Sequence, residues 1–144
     1  MADKHSKQVR SYNMSRIRGK NTKPEIIVRK YLFSKGYRYR LHNKAIFGNP
    51  DIALAKYKTV IFVNGCFWHG HAGCKLFVLP KTNESYWVPK IERNINRDLN
   101  AQAILKESGW NVIIIWECEL KGNKNGFTFE NLHHNLQEHL NRLS

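Results

Sequence analysis

The sequence predicts an α/β domain in which a mixed sheet lies between helices. Apolar residues recur at helical spacing in three segments, and short apolar, β-rich runs lie between them, in the order helix, three strands, loop, helix, strand, helix. The loop carries two of the three cysteines, so we also expect a structural zinc site. A chain of 144 residues is long enough to bury one core without disulfides.

The first helix is predicted from about residue 23 to 35. Thr22 and Glu25 have the spacing of a capping box with proline in the first turn, and Gly36 ends the apolar pattern. Three strands are then expected over residues 37–41, 51–55 and 59–63, the last two joined as a hairpin by a short polar turn.

Two helices and one strand are predicted in the second half. A long amphipathic helix over residues 86–108 carries apolar side chains at intervals of four and ends before a glycine: Trp87, Ile91, Ile95, Leu99 and Ala103. Residues 110–116 are nearly all apolar, the pattern of a strand buried on both faces. The last helix is expected from about 129 to 142, with Leu132, Leu136 and Leu140 on one side.

The charge indicates a polyanionic partner, of which nucleic acid is the commonest. The formal net charge is +13 with a pI near 9.9. Residues 1–44 hold thirteen Lys or Arg against two acids. We therefore expect a basic arm over residues 1–21 that orders on its partner, followed by a single domain over 22–144. The expected phosphate contacts are Arg16, Arg18, Lys20, Lys81, Lys90 and Arg93.

No segment has the roughly 18 consecutive apolar residues of a membrane span, and the polar start does not resemble a signal peptide. We therefore expect a cytoplasmic protein.

Three cysteines and a histidine have the spacing of a closed zinc site. Cys66, His71 and Cys74 lie in one glycine-punctuated loop, and Cys118 follows a later apolar strand. Four protein ligands leave no position for water, so the expected role is structural. Two alternatives stay open: the cysteines are buried and free, or His69 replaces His71 as the ligand.

Asp51 stands in an altered nuclease pattern. It follows Pro50 at the start of one predicted strand, and the next strand ends with Phe62 and Asn64 at the places where PD-(D/E)xK nucleases carry a second acid and a lysine. Taken alone, Asp51 is equally compatible with an ordinary residue at the start of a strand.

Further motifs accompany Asp51 in a fixed order from about residue 8 to 120. They include Asn13-Met14, Thr22 with Glu25, Gly48-x-Pro50-Asp51, Gly65-Cys66-Phe67-Trp68-His69, Tyr86-Trp87, Arg97-Asp98 and Trp116-Glu117-Cys118. On these residues the chain resembles the very-short-patch-repair (Vsr) mismatch endonuclease family. The resemblance implies a restriction-endonuclease-like fold and a Mg²⁺-dependent nick 5′ to the thymine of a T:G mismatch left by deamination of 5-methylcytosine.

The resemblance also implies roles for individual residues. Asp51 and the backbone carbonyl of Val63 would hold Mg²⁺, a hard ion that prefers oxygen ligands. His69 would be the general base, since neutral imidazole takes up a proton near pH 7. Asn64 replaces a family histidine and cannot act as a base near neutral pH, although it can donate hydrogen bonds.

Two acids have structural alternatives to these roles. Glu25 would orient a water molecule of the ion, but on sequence grounds alone its place in the capping box explains it better, and the two uses do not exclude each other. Asp98 is a supporting residue, and on a helix surface it could instead pair with Arg93 or Arg97.

Phe67, Trp68 and Trp87 are the expected DNA wedge. Large rings held at a DNA surface can insert between base steps, at a cost that is lowest where a mismatch already weakens stacking. The alternative is ordinary core packing, above all for Trp87, which has helical apolar spacing.

The expected protein is a monomeric enzyme at the bacterial nucleoid, acting on double-stranded DNA and with mismatch-repair factors as partners. Three rival functions stay open: a zinc-stabilised DNA-binding module without catalysis, a homing or restriction-type nuclease of related fold, and an RNA-binding protein, which gives Asp51 no purpose.

Overall fold

The computed structural model describes residues 21–144. Within them lie three helices, α1 (Lys23–Ser34), α2 (Glu84–Glu107) and α3 (Lys124–Leu143), and four strands, β1 (Arg40–Leu41), β2 (Ile52–Leu54), β3 (Thr59–Asn64) and β4 (Asn111–Trp116). Short 3-10 helices follow β2 (Ala55–Tyr57) and β4 (Glu117–Leu120). The order of helices and strands is the predicted one. The expected basic arm, with Arg16, Arg18 and Lys20, lies outside the described residues except for its last position.

The four strands form one mixed sheet in the order β1-β2-β3-β4. The pairs β1–β2 and β2–β3 are antiparallel, whereas β3 and β4 are parallel. The predicted hairpin is present, and Lys58 closes its turn with a φ of 48°. Because β2 runs opposite to β3 and β4, its start lies at the same end of the sheet as their carboxyl ends.

Helices cover both faces of this sheet. On one face, side chains of α1 and α3 pack on alternate strand residues in a cluster that includes Val28, Leu32, Ile61, Ile115 and Leu136. On the other face, Leu105 of α2 packs on the intervening strand residues Ala53 and Val60. The observed architecture is therefore a mixed α/β sheet flanked by helices, as predicted.

The predicted apolar stripe of α2 is wrong in its second half. Leu99 is 59% exposed and Ala103 is also exposed, whereas Asn94, Ala101 and Leu105 are buried. Each step of four residues turns the helix by about 400°, so side chains at that constant interval drift around it; alternating steps of three and four stay on one face. This difference places Asp98 on the inner side of α2.

The expected double-sided burial of the last strand is also wrong. β4 is the edge of the described sheet, and of its residues only Ile115 is buried. The strand buried on both faces is β3, which has a neighbour on each side. The strand expected over 37–41 shortens to two residues, and α3 begins at Lys124, five residues before its expected start.

No helix within residues 21–144 combines the length and apolar character needed to span a bilayer.

Candidate active site and metal centre

Asp51 lies where β2 begins, next to the carboxyl end of β3. Its Oδ2 accepts a hydrogen bond of 2.7 Å from the backbone N–H of Val63. Burial raises the pKa of Asp51 to about 6, although the Val63 hydrogen bond opposes this, and the neighbouring Glu25 raises the pKa further. The sequence therefore folds Asp51 into a largely buried position at the sheet end, where a bound cation would stabilise its charged form.

Glu25 is a buried carboxylate on α1, only 1% exposed. The helix-capping half of the prediction is present, because the Glu25 N–H donates to Thr22 Oγ1 at 3.4 Å. The Glu25 carboxylate itself contacts Arg29 at 2.9 Å and His42 at 3.0 Å. The Thr22 cap thus starts the helix, and the Glu25 carboxylate lies near His42 and Asp51.

His42 completes a cluster that the sequence analysis missed. Ligand atoms of Glu25, His42 and Asp51 all lie within 4.8 Å of one another. The pairing of β1 with β2 could have predicted this contact. Leu41 pairs with Ile52, so the next residue, His42, comes opposite Asp51, which directly precedes β2.

His69 and Asp98 form a second polar pair. The His69 Nδ1 and Asp98 Oδ2 atoms are 2.5 Å apart, and both side chains are about one quarter exposed. Arg97, one of the two alternative partners of Asp98, donates instead to Asn94 at 3.2 Å. The His69 backbone N–H donates to the carbonyl of Gly65 at 3.2 Å, directly after β3, so His69 lies at the sheet end where Asp51 is found.

The predicted metal ligands come together. Ligand atoms of Cys66, His71, Cys74 and Cys118 lie within 4.8 Å of one another, and His71, not His69, is the histidine of this cluster. His71 stacks on Trp116 with ring centroids 4.0 Å apart. Three sulfur atoms and one imidazole are soft to borderline donors, which suit a zinc-type ion and do not suit magnesium.

The pKa values of the three thiols differ because their burial and hydrogen bonds differ. Burial raises the pKa of Cys66 to about 12 and also raises that of Cys118. The pKa of Cys74 is lowered, first by the backbone N–H of Leu76. Glu117 holds the start of the loop, because its Oε1 accepts from the Cys66 N–H at 3.1 Å.

Phe67, Trp68 and Trp87 pack on one another in an aromatic cluster at the surface. Ring centroids are 5.1 Å apart for Phe67–Trp68, 5.3 Å for Phe67–Trp87 and 5.7 Å for Trp68–Trp87. All three are half-buried, and none belongs to the two core clusters. Tyr86, 57% exposed, extends the cluster. The three rings therefore lie outside the two core clusters that pack on the sheet.

Helix α2 holds the loop between the aromatic cluster and the cysteines. Asn94 Nδ2 donates to the Trp68 carbonyl at 2.8 Å. Gly70, with a φ of +60°, approaches the helix so closely that an added Cβ would lie 2.6 Å from Ile95 Cδ1 and 2.8 Å from Ile91 Cγ2. The same helix therefore fixes the rings, His69 and His71, the predicted metal ligand.

The remaining predicted residues lie around this region. Asn64 is buried at the end of β3, and Lys81 and Arg93 are exposed near or on α2. Lys90 places its ammonium group 5.6 Å from the Tyr86 ring centroid.

Comparison with known proteins identifies the class. Residues 2–75 match the family described as DNA mismatch endonuclease Vsr. The DNA mismatch endonuclease Vsr of Escherichia coli is 40% identical over 138 residues, covering 96% of this chain and 87% of that protein. The chain is a DNA endonuclease.

Two further relatives carry the description of type II nicking enzymes. V.NmeAIP of Neisseria meningitidis is 48% identical over 84% of this chain and 86% of its own length. V.XorIIP of Xanthomonas oryzae pv. oryzae is 50% identical over 83% of this chain and 88% of its own length. With 40% identity across nearly the whole chain, the protein belongs to the Vsr DNA mismatch endonuclease family.

Proposed function

We propose that this endonuclease nicks one strand of duplex DNA 5′ to the thymine of a T:G mismatch, in a Mg²⁺-dependent reaction on a restriction-endonuclease-like fold. The observation that carries the proposal is the cluster of Asp51 and Glu25 at the sheet end, together with the His69–Asp98 pair, whose histidine follows the half-buried rings of Phe67 and Trp68 in one loop. Acids alone would suit many hydrolases, but acids next to half-exposed rings suit an enzyme that must recognise a distorted duplex.

The residues at the sheet end fit a magnesium ion. Asp51 supplies a carboxylate oxygen and the Val63 carbonyl is the further ligand that we propose, while Glu25 orients a water molecule of the ion. Magnesium at this place would neutralise charge on the scissile phosphate and activate water. The raised pKa of Asp51 means that burial disfavours its charged form, which a bound cation would stabilise.

His69 is the proposed general base. Its Nδ1 contacts Asp98, which leaves Nε2 for the nucleophilic water and makes Asp98 a positioning residue that fixes the tautomer. Asn64, at the place of the family histidine, donates a hydrogen bond to phosphate in this proposal and takes no proton.

Recognition is assigned to the rings and the cations. Phe67, Trp68 and Trp87 insert beside the mismatch, where unstacking costs least. Lysine and arginine side chains bind phosphates without reading sequence. The proposed phosphate contacts are Lys81, Lys90 and Arg93, together with Arg16, Arg18 and Lys20 of the basic arm.

The second metal centre has a structural role in this proposal. Zinc bound by Cys66, His71, Cys74 and Cys118 would tie the loop to the residue that follows β4 and so hold the rings in place. We further propose that residues 22–144 form one domain after the arm, and that the enzyme acts as a monomer in the bacterial cytoplasm, with mismatch-repair factors as partners.

A nicking assay on matched duplexes tests the substrate. One labelled duplex carries T:G and the other T:A in the same flanking sequence, each with Mg²⁺ or with EDTA, across several flanking contexts. The proposal expects one nick 5′ to the mismatched thymine, only with Mg²⁺. Equal cleavage of the T:A duplex would favour a restriction-type or homing nuclease, and cleavage in EDTA would contradict the metal dependence.

A further inference from the structure

His42 contacts the proposed catalytic carboxylate through an uncommon backbone conformation. Its Nε2 lies 3.0 Å from Glu25 Oε2, and its side chain is 11% exposed. Its backbone N–H donates to the Asp51 carbonyl at 3.1 Å. The φ of His42 is +50°, in the left-handed region that non-glycine residues rarely adopt. Strained backbone of this kind persists where the surrounding structure fixes it, and it clusters at functional sites.

Hydrogen bonds occupy most of the Glu25 carboxylate. Arg29 Nη1 and His42 Nε2 both contact Oε2, at 2.9 and 3.0 Å, while the Asn21 backbone N–H reaches Oε1 at 3.3 Å. A carboxylate has about two acceptor positions on each oxygen. Among residues 21–144, both positions on Oε2 are therefore used, whereas Oε1 receives one hydrogen bond and keeps one position open.

We propose that His42 is a positioning residue that, with Arg29, holds Oε2 of Glu25 and so turns Oε1 toward a water molecule beside Asp51. This inference rests on the proposed function, because it assigns a partner to an acid of that site. His42 acts as a donor from Nε2, and it does so with a neutral or a charged ring, so the proposal requires no titration of His42.

Two substitutions separate positioning from simple structural support. His42→Gln carries the same backbone strain, and its amide nitrogen replaces Nε2 as the donor. His42→Asn suits positive φ better, since asparagine is enriched in that region, but its side chain is one methylene too short to reach Glu25. Relief of strain and loss of a hydrogen bond oppose each other in His42→Asn, so we expect its thermal unfolding to stay close to wild type.

The functional readout is the single-turnover nicking rate on the T:G duplex at saturating DNA. We expect His42→Asn to lose about 10- to 100-fold in rate, the usual cost of removing a group that orients a site residue. We expect no change in the DNA concentration for half-maximal rate. His42→Gln should recover to within about threefold of wild type. Rate losses that merely follow the unfolded fraction in both variants would overturn the proposal.

A metal titration gives a second readout that does not depend on turnover. Mn²⁺ alone is titrated calorimetrically into each variant without DNA. Positioning predicts that His42→Gln binds Mn²⁺ as wild type does. A loss of tenfold or more in that variant would make His42 a direct metal ligand and overturn the assignment.

Asp51→Asn distinguishes failure of this inference from failure of the proposed function. If Asp51→Asn nicks the T:G duplex at the wild-type rate, the proposed site itself is wrong. If Asp51→Asn is inactive while both His42 variants match wild type, only the role of His42 is refuted.

Discussion

Gly70→Ala tests the contact that fixes the loop against α2. At a φ of +60°, any side chain costs about 1–2 kcal/mol of backbone strain. The new Cβ would also lie 2.8 Å from Ile91 Cγ2, an atom of a side chain that is only 3% exposed. Because that branched side chain cannot move aside, we add about 1–3 kcal/mol for overpacking. The expected loss of unfolding free energy is therefore about 2–5 kcal/mol.

Two glycines of the same chain provide matched controls. Gly73, in the same loop, has a φ of +73°, and Gly36, after α1, has a φ of +80°; an added Cβ would meet nothing within 4 Å at either position. Alanine at these positions carries only the backbone strain, so each should cost about 1–2 kcal/mol. The difference between Gly70→Ala and Gly73→Ala then isolates the contact with α2.

Urea unfolding at equal zinc content measures the loss of unfolding free energy in the three glycine-to-alanine variants. The nicking rate on the T:G duplex measures the effect on the active site. We expect Gly70→Ala to be the least stable and to lose more activity than Gly73→Ala, because the displaced loop carries His69. Equal losses for the two loop variants would show that α2 does not hold the loop as the structure indicates.

Three further predictions concern the carboxylates and the cysteine cluster. The pKa of Asp51 is raised from 3.8 to about 6, so the folded state binds more protons than the unfolded state between these pH values. Without divalent metal, the free energy of unfolding should therefore fall by on the order of 2–3 kcal/mol as pH rises from about 4 to 6. Chemical denaturation should show this fall in the wild type and not in Asp51→Asn; the same pH dependence in both proteins would contradict the burial of Asp51. Asp98→Asn should reduce the nicking rate about 10- to 100-fold with little change in DNA affinity, whereas an unchanged rate would remove its role toward His69. Cys118→Ser should lower bound zinc, measured by elemental analysis, and lower thermal stability; full zinc content would exclude Cys118 as a ligand.

Local patterns determined much of the fold in advance. The capping residues before α1, the glycine after α2 and the polar turn between β2 and β3 each act within a few residues, so their consequences follow from sequence. The residues of the candidate metal cluster could also be grouped from sequence, since Cys66, His71 and Cys74 share one loop and Cys118 is the remaining cysteine.

The errors arose where distant elements decide the outcome. β4 is apolar enough for a buried strand, but the described sheet places it at the edge. Leu99 was predicted to face the core because it follows Ile95 by four residues, but steps of four drift around a helix and leave Leu99 exposed. The neighbouring Asp98 faces inward instead and contacts His69. The contact of His42 with Glu25 could not be predicted from sequence, because it depends on the pairing of β1 with β2 and on a positive φ at His42.

The most direct test of the account is the position of the cleavage metal. Crystals of the Asp98→Asn enzyme with a T:G duplex, grown with Mn²⁺ in place of Mg²⁺, would show the ion in an anomalous difference map. We expect a peak within about 2.5 Å of an Asp51 oxygen, beside His69 and the phosphate 5′ to the thymine. A peak bound only to the phosphate or to other side chains, with Asp51 uninvolved, would contradict it.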